Sequence, residues 1–228
     1  MNKNSIFVAD AHSMGEDKFY EFLCDIDSTN LQCEEIYLLG DIFELLFGGI
    51  DYIIGQNSKS VELLNKISQN IKVVYFEGNH DFNLKKLFPL IEVIKIANQP
   101  QKYIYEKKII YIAHGDNNLD FGYKLYTAII RNRVVLKVLN FIDVLVKNKI
   151  SKKLYKTVPH KARYEEIQNF KDIVDERVFN YADDKDYIIE GHYHQDKSYD
   201  YDGFKYINMP SFKTGGYKRI QDLIKVEL

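Results

Sequence analysis

Residues that can bind metal ions follow five short apolar runs, each at the point where the run ends. The five groups are Asp10-Ala11-His12, Gly40-Asp41, Gly78-Asn79-His80-Asp81, His114-Gly115-Asp116 and Gly191-His192-Tyr193-His194. Imidazoles and carboxylates are ligands of Mn²⁺, Fe and Zn²⁺, and the lack of cysteines in these groups argues against a closed structural zinc site. The chain has six histidines, of which only His160 lies outside the groups. This concentration favours one metal-dependent site over five unrelated turns.

Each group alone would have an ordinary structural explanation. Asn, Asp and Gly are common turn residues, and an Asp after a strand often caps a helix. In extended backbone, however, residues i and i+2 point the same way. We therefore expect Asp10 and His12 to reach one ion together, and His192 and His194 to face the site as a pair.

Short apolar runs separated by helical patterns must bring these groups together. The runs that predict buried strands are Ser5 to Ala9, Ile36 to Leu39, Val73 to Phe76, Ile109 to Ala113 and Tyr187 to Ile189. Asp17 to Ile26 and Lys59 to Ile67 have the apolar spacing of helices. This alternation predicts an α/β fold, in which sites form at the carboxyl ends of strands.

The C-terminal part of the chain has a different pattern. Phe204 to Asn208 and Leu223 to Val226 predict strands, and Thr214 to Gly216 predicts a turn between them. Because strands joined by turns follow strands joined by helices, we expect mixed sheets.

The bulk composition is that of one globular domain. The chain has 228 residues, of which 46% are hydrophobic and 28% charged, enough to bury a sizeable core. Its two cysteines, Cys24 and Cys33, form no Cys-x-x-Cys motif, so a reducing cytoplasm fits better than a disulfide framework. The first ten residues do not resemble a signal peptide, and no uncharged run reaches the length of a membrane span. We expect one domain over residues 1–228, located in the cytoplasm.

The order of the five groups resembles that of the calcineurin-like metallophosphoesterases, over the whole chain apart from about 124 to 180. The resemblance implies two packed mixed sheets flanked by helices, with two metal ions at the strand ends. The ligands it implies for one ion are Asp10, His12, Asp41 and His194. Those for the second are Asp41 as a bridge, Asn79, His114 and His192. Two divalent ions, with Mn²⁺ expected and Fe or Zn²⁺ as alternatives, clamp a phosphate and acidify a shared water for attack at phosphorus.

The segment Gly78 to Asp81 has further roles under this resemblance. Asn79 would supply an oxygen ligand, and Gly78 would allow the backbone to approach the site closely. The imidazole of His80 would point at the scissile phosphate and stabilise its charge or protonate a leaving oxygen. Asp81 would hold that imidazole and favour its cationic form. His80 and Asp81 are the expected catalytic pair.

A closer resemblance is to the UDP-2,3-diacylglucosamine hydrolases of lipid A synthesis. GDIFELLFG, from Gly40 to Gly48, is similar to their Gly-Asp-x-Phe-Glu segment. The stretch His114-Gly115-Asp116, followed by Asp120 and Tyr123, also resembles theirs, with a slightly shorter spacer. Those enzymes cut a pyrophosphate bond and release UMP and an acylated glucosamine 1-phosphate. They generally carry Arg where this chain has His80. Arg suits an anionic leaving phosphate, whereas His can also protonate an alkoxide. The resemblance implies an acylated nucleotide sugar as substrate.

Residues 124 to 163 carry a strong excess of positive charge. The segment has eleven Lys and Arg residues and one acid, Asp143, although the chain has a net charge of −2. Apolar residues are dense from Leu136 to Val146, and the lack of Gly and Pro from Tyr123 to Val158 predicts helix. A basic apolar helix can lie on a membrane surface or cap a lipid pocket. We expect a helical lid, inserted at about 120–180, that contacts acyl chains and the inner-membrane surface.

Four residues are expected to contact the substrate: Asp120, Tyr123, Lys161 and Arg163. The alternatives for the insertion are an ordinary helical hairpin and a nucleic-acid surface, but the aromatic and basic interleaving typical of base stacking is missing, so no nucleic acid is expected. The alternatives for the activity are another metallophosphoesterase, such as a nucleotide pyrophosphatase, phosphodiesterase or protein phosphatase, and a non-catalytic scaffold of the same fold. The intact ligand set argues against the scaffold. The sequence does not indicate an oligomeric state.

Overall fold

The computed structural model describes residues 1–116, 127–158 and 165–225. Its strands are β1 (Ser5–Val8), β2 (Glu35–Leu38), β3 (Leu46–Phe47), β4 (Lys72–Phe76), β5 (Asp81–Phe82), β6 (Glu92–Ile94), β7 (Gln101–Tyr105), β8 (Lys108–Ala113), β9 (Tyr187–Glu190), β10 (Lys197–Tyr201), β11 (Phe204–Asn208) and β12 (Lys218–Arg219). Its helices are α1 (Lys18–Asp27), α2 (Asp51–Gln56), α3 (Ser58–Ile67), α4 (Arg133–Leu145), α5 (Lys149–Thr157), α6 (Phe170–Val178), α7 (Phe212–Gly215) and α8 (Ile220–Leu223). Short 3-10 helices lie at Leu84–Lys86 and Ile96–Asn98.

Two five-stranded mixed sheets form the centre of the fold. One has the order β12-β1-β2-β4-β6, in which the last four strands are parallel and β12 is antiparallel to β1. The other has the order β10-β11-β9-β8-β7, in which the three central strands are parallel and both edge strands antiparallel. A short parallel ladder joins β3 to β5. The expectation of two mixed sheets flanked by helices is confirmed.

The first sheet is buried on both faces. In β1, Ile6 and Val8 belong to the core shared with α1 and α3, whereas Phe7 belongs to the core that contains Ile112 and Ile189 of the second sheet. Alternate side chains of a strand point to opposite faces, so burial of both faces requires the nearly continuous apolar runs seen in the sequence. The parallel strands therefore end together at one edge, where the polar groups follow.

Most of the predicted strands and helices lie close to their expected bounds. The five predicted strands are β1, β2, β4, β8 and β9, and the two predicted helices are α1 and α3. Asp17 caps α1, because its carboxylate accepts the N–H of Phe19. The strand predicted at Phe204 to Asn208 is β11.

The strand expected at Leu223 to Val226 is wrong for the residues that the structure describes. Ile220–Leu223 is a helical turn, and the next two residues lie in no sheet. The three-residue spacing puts Ile220 and Leu223 on one side of that turn, and both are buried in the core between the sheets. The turn expected at Thr214 to Gly216 is largely part of helix α7, which Ser211 caps through its hydroxyl.

The continuous helix expected from Tyr123 to Val158 is also wrong. Within 127–158, residues 127–130 are helical, and α4 and α5 follow as separate helices. Asn132 caps α4 with its side-chain oxygen, and Asn148 has a left-handed φ of 58° before α5. Asn competes for backbone hydrogen bonds and tolerates left-handed backbone, so it interrupts the helix without Gly or Pro. Across the described ranges, every helix is too short or too polar to cross a membrane.

Candidate metal centre

Six of the expected ligands form two groups at the carboxyl ends of the strands. The groups are Asp10, His12 and His194, and Asp41, His114 and His192. Within each group the ligand atoms lie within 4.8 Å of one another. The loops after β1, β2, β8 and β9 supply them, and these strands are parallel to their partners in each sheet. Residues more than a hundred positions apart are therefore neighbours.

In the first group, two imidazole nitrogens converge with a buried carboxylate. Nε2 of His12 lies 3.3 Å from Nε2 of His194, which lies 3.2 Å from Oδ1 of Asp10. Among the described residues, no donor hydrogen-bonds to Oδ1 of Asp10, although Oδ2 accepts the N–H of His192 at 2.9 Å. A carboxylate oxygen and two imidazole nitrogens that face each other in this way suit a divalent cation.

In the second group, a backbone carbonyl fixes the orientation of the His114 imidazole. Its Nδ1 lies 2.7 Å from the carbonyl oxygen of Leu39, so Nδ1 donates there and Nε2 faces the site. Nε2 lies 3.6 Å from Oδ2 of Asp41 and 3.4 Å from Oδ1 of Asn79. The ring centroid of His192 is 5.1 Å from that of His114. Asn79 therefore lies beside the second group, as the family resemblance implies.

The charges of the second group also suit a cation. Burial opposes the ionisation of Asp41, but the neighbouring His114 lowers the pKa of Asp41 well below its usual range. Burial and the charge of His114 lower the pKa of His192 to about 4, so at neutral pH its imidazole keeps a free lone pair. Burial opposes a charge on His114, but the carboxylate of Asp41 raises the pKa of His114 well above its usual range, so a metal ion would have to displace a proton from that ring. Ionised carboxylates and neutral imidazoles are the forms that bind metal. The residues of both groups therefore fit the divalent ions that the resemblance implies.

Five of these ligand candidates have left-handed backbone. The φ angles are 50° at Asp10, 42° at His12, 49° at Asp41, 67° at His192 and 59° at His194. The expectation of extended backbone is therefore wrong, although Asp10 and His12 do lie in one group, as expected. Left-handed backbone costs a non-glycine residue about 1–2 kcal/mol, and such strain concentrates at functional sites. The kinked loop sends His192 and His194 to different groups, which an extended loop would not do.

Gly78 permits the close packing of two site loops. A Cβ at this position would lie 2.3 Å from Oδ1 of Asp41 and 2.6 Å from the Asp41 backbone nitrogen. The same Oδ1 accepts the N–H of His80 at 2.8 Å. The close backbone approach expected at Gly78 is therefore confirmed.

His80 lies at the edge of a cavity between the two groups. The cavity has a volume of about 340 Å³ and is lined by His12, Asp41, Asn79, His80, Glu165, Ile167, His192, Tyr193, His194 and Gln195. Nδ1 of His80 lies 2.8 Å from the carbonyl oxygen of Glu44 and donates to it. Nε2 is therefore the ring nitrogen of His80 that remains for a ligand in the cavity.

Asp81 does not hold the imidazole of His80, contrary to expectation. Its buried carboxylate accepts four backbone N–H groups and one hydroxyl, at 2.6 to 3.3 Å, from Asp41, Ile42, Phe43, Gly78 and Tyr75. The carboxylate beside the ring is that of Glu44, whose Oε1 lies 3.9 Å from Nδ1 of His80. The backbone N–H groups of the loop after β2 lie in the interior, where each needs an acceptor. The carboxylate of Asp81 accepts from these N–H groups instead of from the imidazole of His80. Asp81 thus shapes the loop that carries Asp41.

Replacing Asp81 with Ala should lower the free energy of unfolding by at least about 3 kcal/mol, because several buried donors lose their acceptor at once. Tyr75→Phe is the matched control. It removes one of the five donors and should cost only about 1 kcal/mol. Denaturant unfolding of both variants measures the difference. Equal stabilities would contradict the role of Asp81 as a shared acceptor.

A buried ion pair that was not predicted from the sequence joins two loops that carry residues of the second group. Nη2 of Arg177 donates to Oε1 of Glu190 at 2.8 Å and also to the carbonyl oxygen of Gly115. Glu190 further accepts the hydroxyls of two buried tyrosines, Tyr181 and Tyr206. Glu190 precedes the Gly191-His192 loop and Gly115 follows His114, so the pair ties two ligand loops together. The one feature that could have indicated it is an acid at the end of the buried run before Gly191.

The four expected substrate-binding residues lie outside the described residues. They are Asp120, Tyr123, Lys161 and Arg163. Their roles therefore stay predictions.

Comparison with known proteins supports the resemblance found in the sequence. No family model matches the chain. A curated protein from Blochmanniella pennsylvanica named UDP-2,3-diacylglucosamine hydrolase is 27% identical over 202 residues, which cover 83% of this chain and 78% of that protein. A protein of the same name from Coxiella burnetii is 23% identical over 204 residues, covering 87% and 83%. The predicted likeness to this group is confirmed.

Solved structures with similar folds have low identity to the chain. Yfce, a phosphoesterase from E. coli, has a TM-score of 0.44 and 16% identity, and covers 91% of this chain and 79% of its own. Vacuolar protein sorting 29 from Cryptosporidium parvum has a TM-score of 0.38 and 12% identity, covering 91% and 73%. At identities this low, conclusions about activity depend on the residues of the site.

Proposed function

We propose that the chain is a binuclear, metal-dependent phosphohydrolase that cleaves the pyrophosphate bond of UDP-2,3-diacylglucosamine to give UMP and 2,3-diacylglucosamine 1-phosphate. The observation that carries the proposal is the pair of ligand groups, in each of which the ligand atoms lie within 4.8 Å of one another. Relatives with the name of this hydrolase support the substrate. Mn²⁺ is the metal we expect, with Fe and Zn²⁺ as alternatives that suit the same donors.

Each residue of the site has a role in this reaction. Two divalent ions held by the two groups would neutralise phosphate charge and lower the pKa of a shared water to about 7. Asp41 connects the second group to the loop that carries His80, since its Oδ2 faces His114 while its Oδ1 accepts the N–H of His80. That N–H bond places the His80 ring over the cavity. Its Nε2 can donate to a phosphoryl oxygen or to the leaving oxygen, where charge develops.

The helices of the insertion are anchored beside the site. Leu136 of α4 packs among Leu45, Ile50, Ile53 and Phe82, next to the loops that carry Glu44 and His80. Most other apolar side chains of α4 face solvent: Val134, Val138, Leu139, Phe141, Ile142, Val144 and Leu145 are exposed. Such a contiguous apolar surface indicates an interaction site. We assign it to the acyl chains of the substrate, with the lysines of α5 beside it for phosphate groups or the surface of the inner membrane.

Arg131 links the insertion to the catalytic loop. Its Nη2 donates to the carbonyl oxygen of Gly78 at 2.9 Å, and its own carbonyl oxygen accepts Nδ2 of Asn83 at 2.7 Å. The guanidinium also lies 5.2 Å from the ring centroid of Phe82. A lid attached in this way can bring bound acyl chains to a fixed position relative to His80.

Incubation of the purified chain with UDP-2,3-diacylglucosamine and Mn²⁺, followed by product analysis, tests the proposal. We expect UMP and 2,3-diacylglucosamine 1-phosphate, and neither product after chelation. Hydrolysis of a chromogenic phosphodiester without release of UMP would keep the phosphohydrolase and overturn the substrate. If neither reaction occurs with Mn²⁺, Fe²⁺ or Zn²⁺, the chain is a scaffold.

His80→Ala should lower kcat by about 10²- to 10⁴-fold while the metal content stays nearly unchanged. The reason is that His80 would act on charge in the transition state rather than as a ligand. Elemental analysis of the purified variant, together with steady-state kinetics, separates the two roles. Loss of one metal equivalent would identify His80 as a ligand instead.

His80→Arg distinguishes the proposed substrate from the second candidate, a phosphodiester with an alkoxide leaving group. A pyrophosphate releases an anionic phosphate, which needs positive charge, and Arg supplies that charge. An alkoxide needs a proton, which Arg does not give up. Partial activity of the Arg variant on the nucleotide sugar therefore supports pyrophosphate cleavage, and activity no better than that of His80→Ala contradicts it.

A further inference from the structure

We propose that Glu44 is a positioning residue for two histidines of the site, orienting His12 with its side chain and His80 with its main chain. The inference rests on the proposed function and adds a residue to it. Glu44 has no role in the ligand set described above. It lies three residues after Asp41, and it is only 3% exposed.

The contacts of Glu44 reach both imidazoles. Oε2 lies 3.5 Å from Nδ1 of His12, and Oε1 lies 3.9 Å from Nδ1 of His80. The carbonyl oxygen of the same residue accepts the proton of His80 Nδ1 at 2.8 Å. The two rings lie edge to face, with centroids 5.0 Å apart. One residue therefore faces the Nδ1 side of both rings.

The backbone holds Glu44 firmly in this position. Its N–H donates to the carbonyl oxygen of Ser13 at 3.0 Å, and Ser13 pairs with Phe43 in an isolated parallel bridge. The loops after β1 and β2 are thus joined directly at Glu44. A buried carboxylate costs free energy unless charged or hydrogen-bonding partners surround it. The imidazole of His12, whose Nδ1 faces Oε2, offsets part of this cost.

The consequence for His12 is a fixed tautomer. A carboxylate on the Nδ1 side favours a proton on Nδ1, and this leaves the Nε2 lone pair for a metal ion. Nε2 is the atom that lies 3.3 Å from Nε2 of His194 in the first group. Carboxylates that contact the outer nitrogen of a metal-bound imidazole orient the ring and raise its basicity.

The consequence for His80 is a fixed ring direction. A carbonyl oxygen can only accept, so the contact requires a proton on Nδ1 and turns Nε2 toward the cavity. Because the main chain makes the shorter contact, a change of the side chain should affect His80 less than His12.

Two variants of similar size test the side chain. Glu44→Met removes the acceptor, and Glu44→Gln keeps an oxygen. We expect Glu44→Met to weaken the Mn²⁺ affinity of one of the two sites by about 10- to 100-fold, measured by calorimetric titration of the metal-stripped protein. Glu44→Gln should stay within about tenfold of the parent. Excess Mn²⁺ should recover part of the kcat of Glu44→Met on a small phosphodiester.

Asp143→Asn is the matched control, because Asp143 is equally buried and, among the described residues, its carboxylate accepts hydrogen bonds only from backbone amides of α5. It should leave Mn²⁺ affinity unchanged. Parent-like affinity in Glu44→Met, or an equal loss in Asp143→Asn, overturns the inference. If Glu44→Met does not fold, ¹⁵N spectra of the Zn²⁺-loaded parent test the inference instead. We expect both His12 and His80 to carry a proton on Nδ1. A proton on Nε2 of either ring overturns the inference. A parent that binds no metal and cleaves no phosphodiester refutes the proposed function instead.

Discussion

Asp41→Asn is expected to remove nearly all turnover, with a fall in kcat of about 10³-fold or more, equivalent to about 4 kcal/mol of activation free energy. The carboxylate of Asp41 belongs to the second ligand group, and the family resemblance implies that it also bridges to the first. Its Oδ2 faces Nε2 of His114 and its Oδ1 accepts the N–H of His80, so one side chain connects the second ligand group to the loop from Gly78 to Asp81. An amide keeps the shape but replaces one oxygen with a donor, which repels a cation. Both ions should therefore bind more weakly and at the wrong distance from each other.

The measurement combines kinetics on a chromogenic phosphodiester with metal analysis of the purified variant. Asp186→Asn serves as the control, since Asp186 accepts the N–H of Ile109 at the opposite end of β9 and touches none of the ligands. This control should keep the activity of the parent. Normal turnover in Asp41→Asn, or in parent protein stripped by a chelator, would refute a metal-dependent mechanism. A variant that is inactive only because it is unfolded would lack the thermal unfolding transition of the parent.

The strands and the ligand types could be predicted from the sequence because both depend on local pattern. Runs such as Val73 to Phe76 are buried on both faces, and burial of both faces leaves a continuous apolar run in the sequence. The polar residues that follow each run can therefore be identified in the sequence. Asn132 and Asn148 show the limit of this reasoning, because they end helices through capping and left-handed backbone rather than through composition.

The supporting contacts of the site could not be predicted, because they depend on which loops meet. Asp81 follows His80 directly in the sequence, yet its carboxylate serves the loop after β2. Glu44 lies 36 residues before His80, yet its carbonyl oxygen holds the ring. Neighbours along the chain are thus a poor guide to partners at a strand end, where kinked backbone turns successive side chains in different directions. The left-handed φ angles of the candidate ligands belong to this kinked backbone and were likewise not predicted.

Removal of the acyl chains from the substrate should weaken kcat/KM by about 10³-fold if the lid buries about five methylenes, since each contributes about 0.8 kcal/mol. The exposed apolar surface of α4 is the observation behind this expectation. Leu139 and Ile142 belong to this surface, and they are 43% and 41% exposed. Their replacement by Asp should therefore harm the fold little. It should repel an acyl chain strongly, because a buried carboxylate in contact with hydrocarbon is costly.

The double variant Leu139→Asp/Ile142→Asp should lose most activity on the acylated nucleotide and almost none on a small chromogenic phosphodiester, because the metal groups are untouched. Phe179→Asp is the control for a general effect of surface charge. Phe179 is 80% exposed and lies outside α4 and α5, so its replacement should change neither activity. Parent-like cleavage of the acylated nucleotide by the double variant would make α4 and α5 a structural hairpin. The lipid substrate would then depend only on the Gly-Asp-x-Phe-Glu segment and the named relatives, while the metal centre would retain its own support in the geometry of Asp10, Asp41 and the histidines around them.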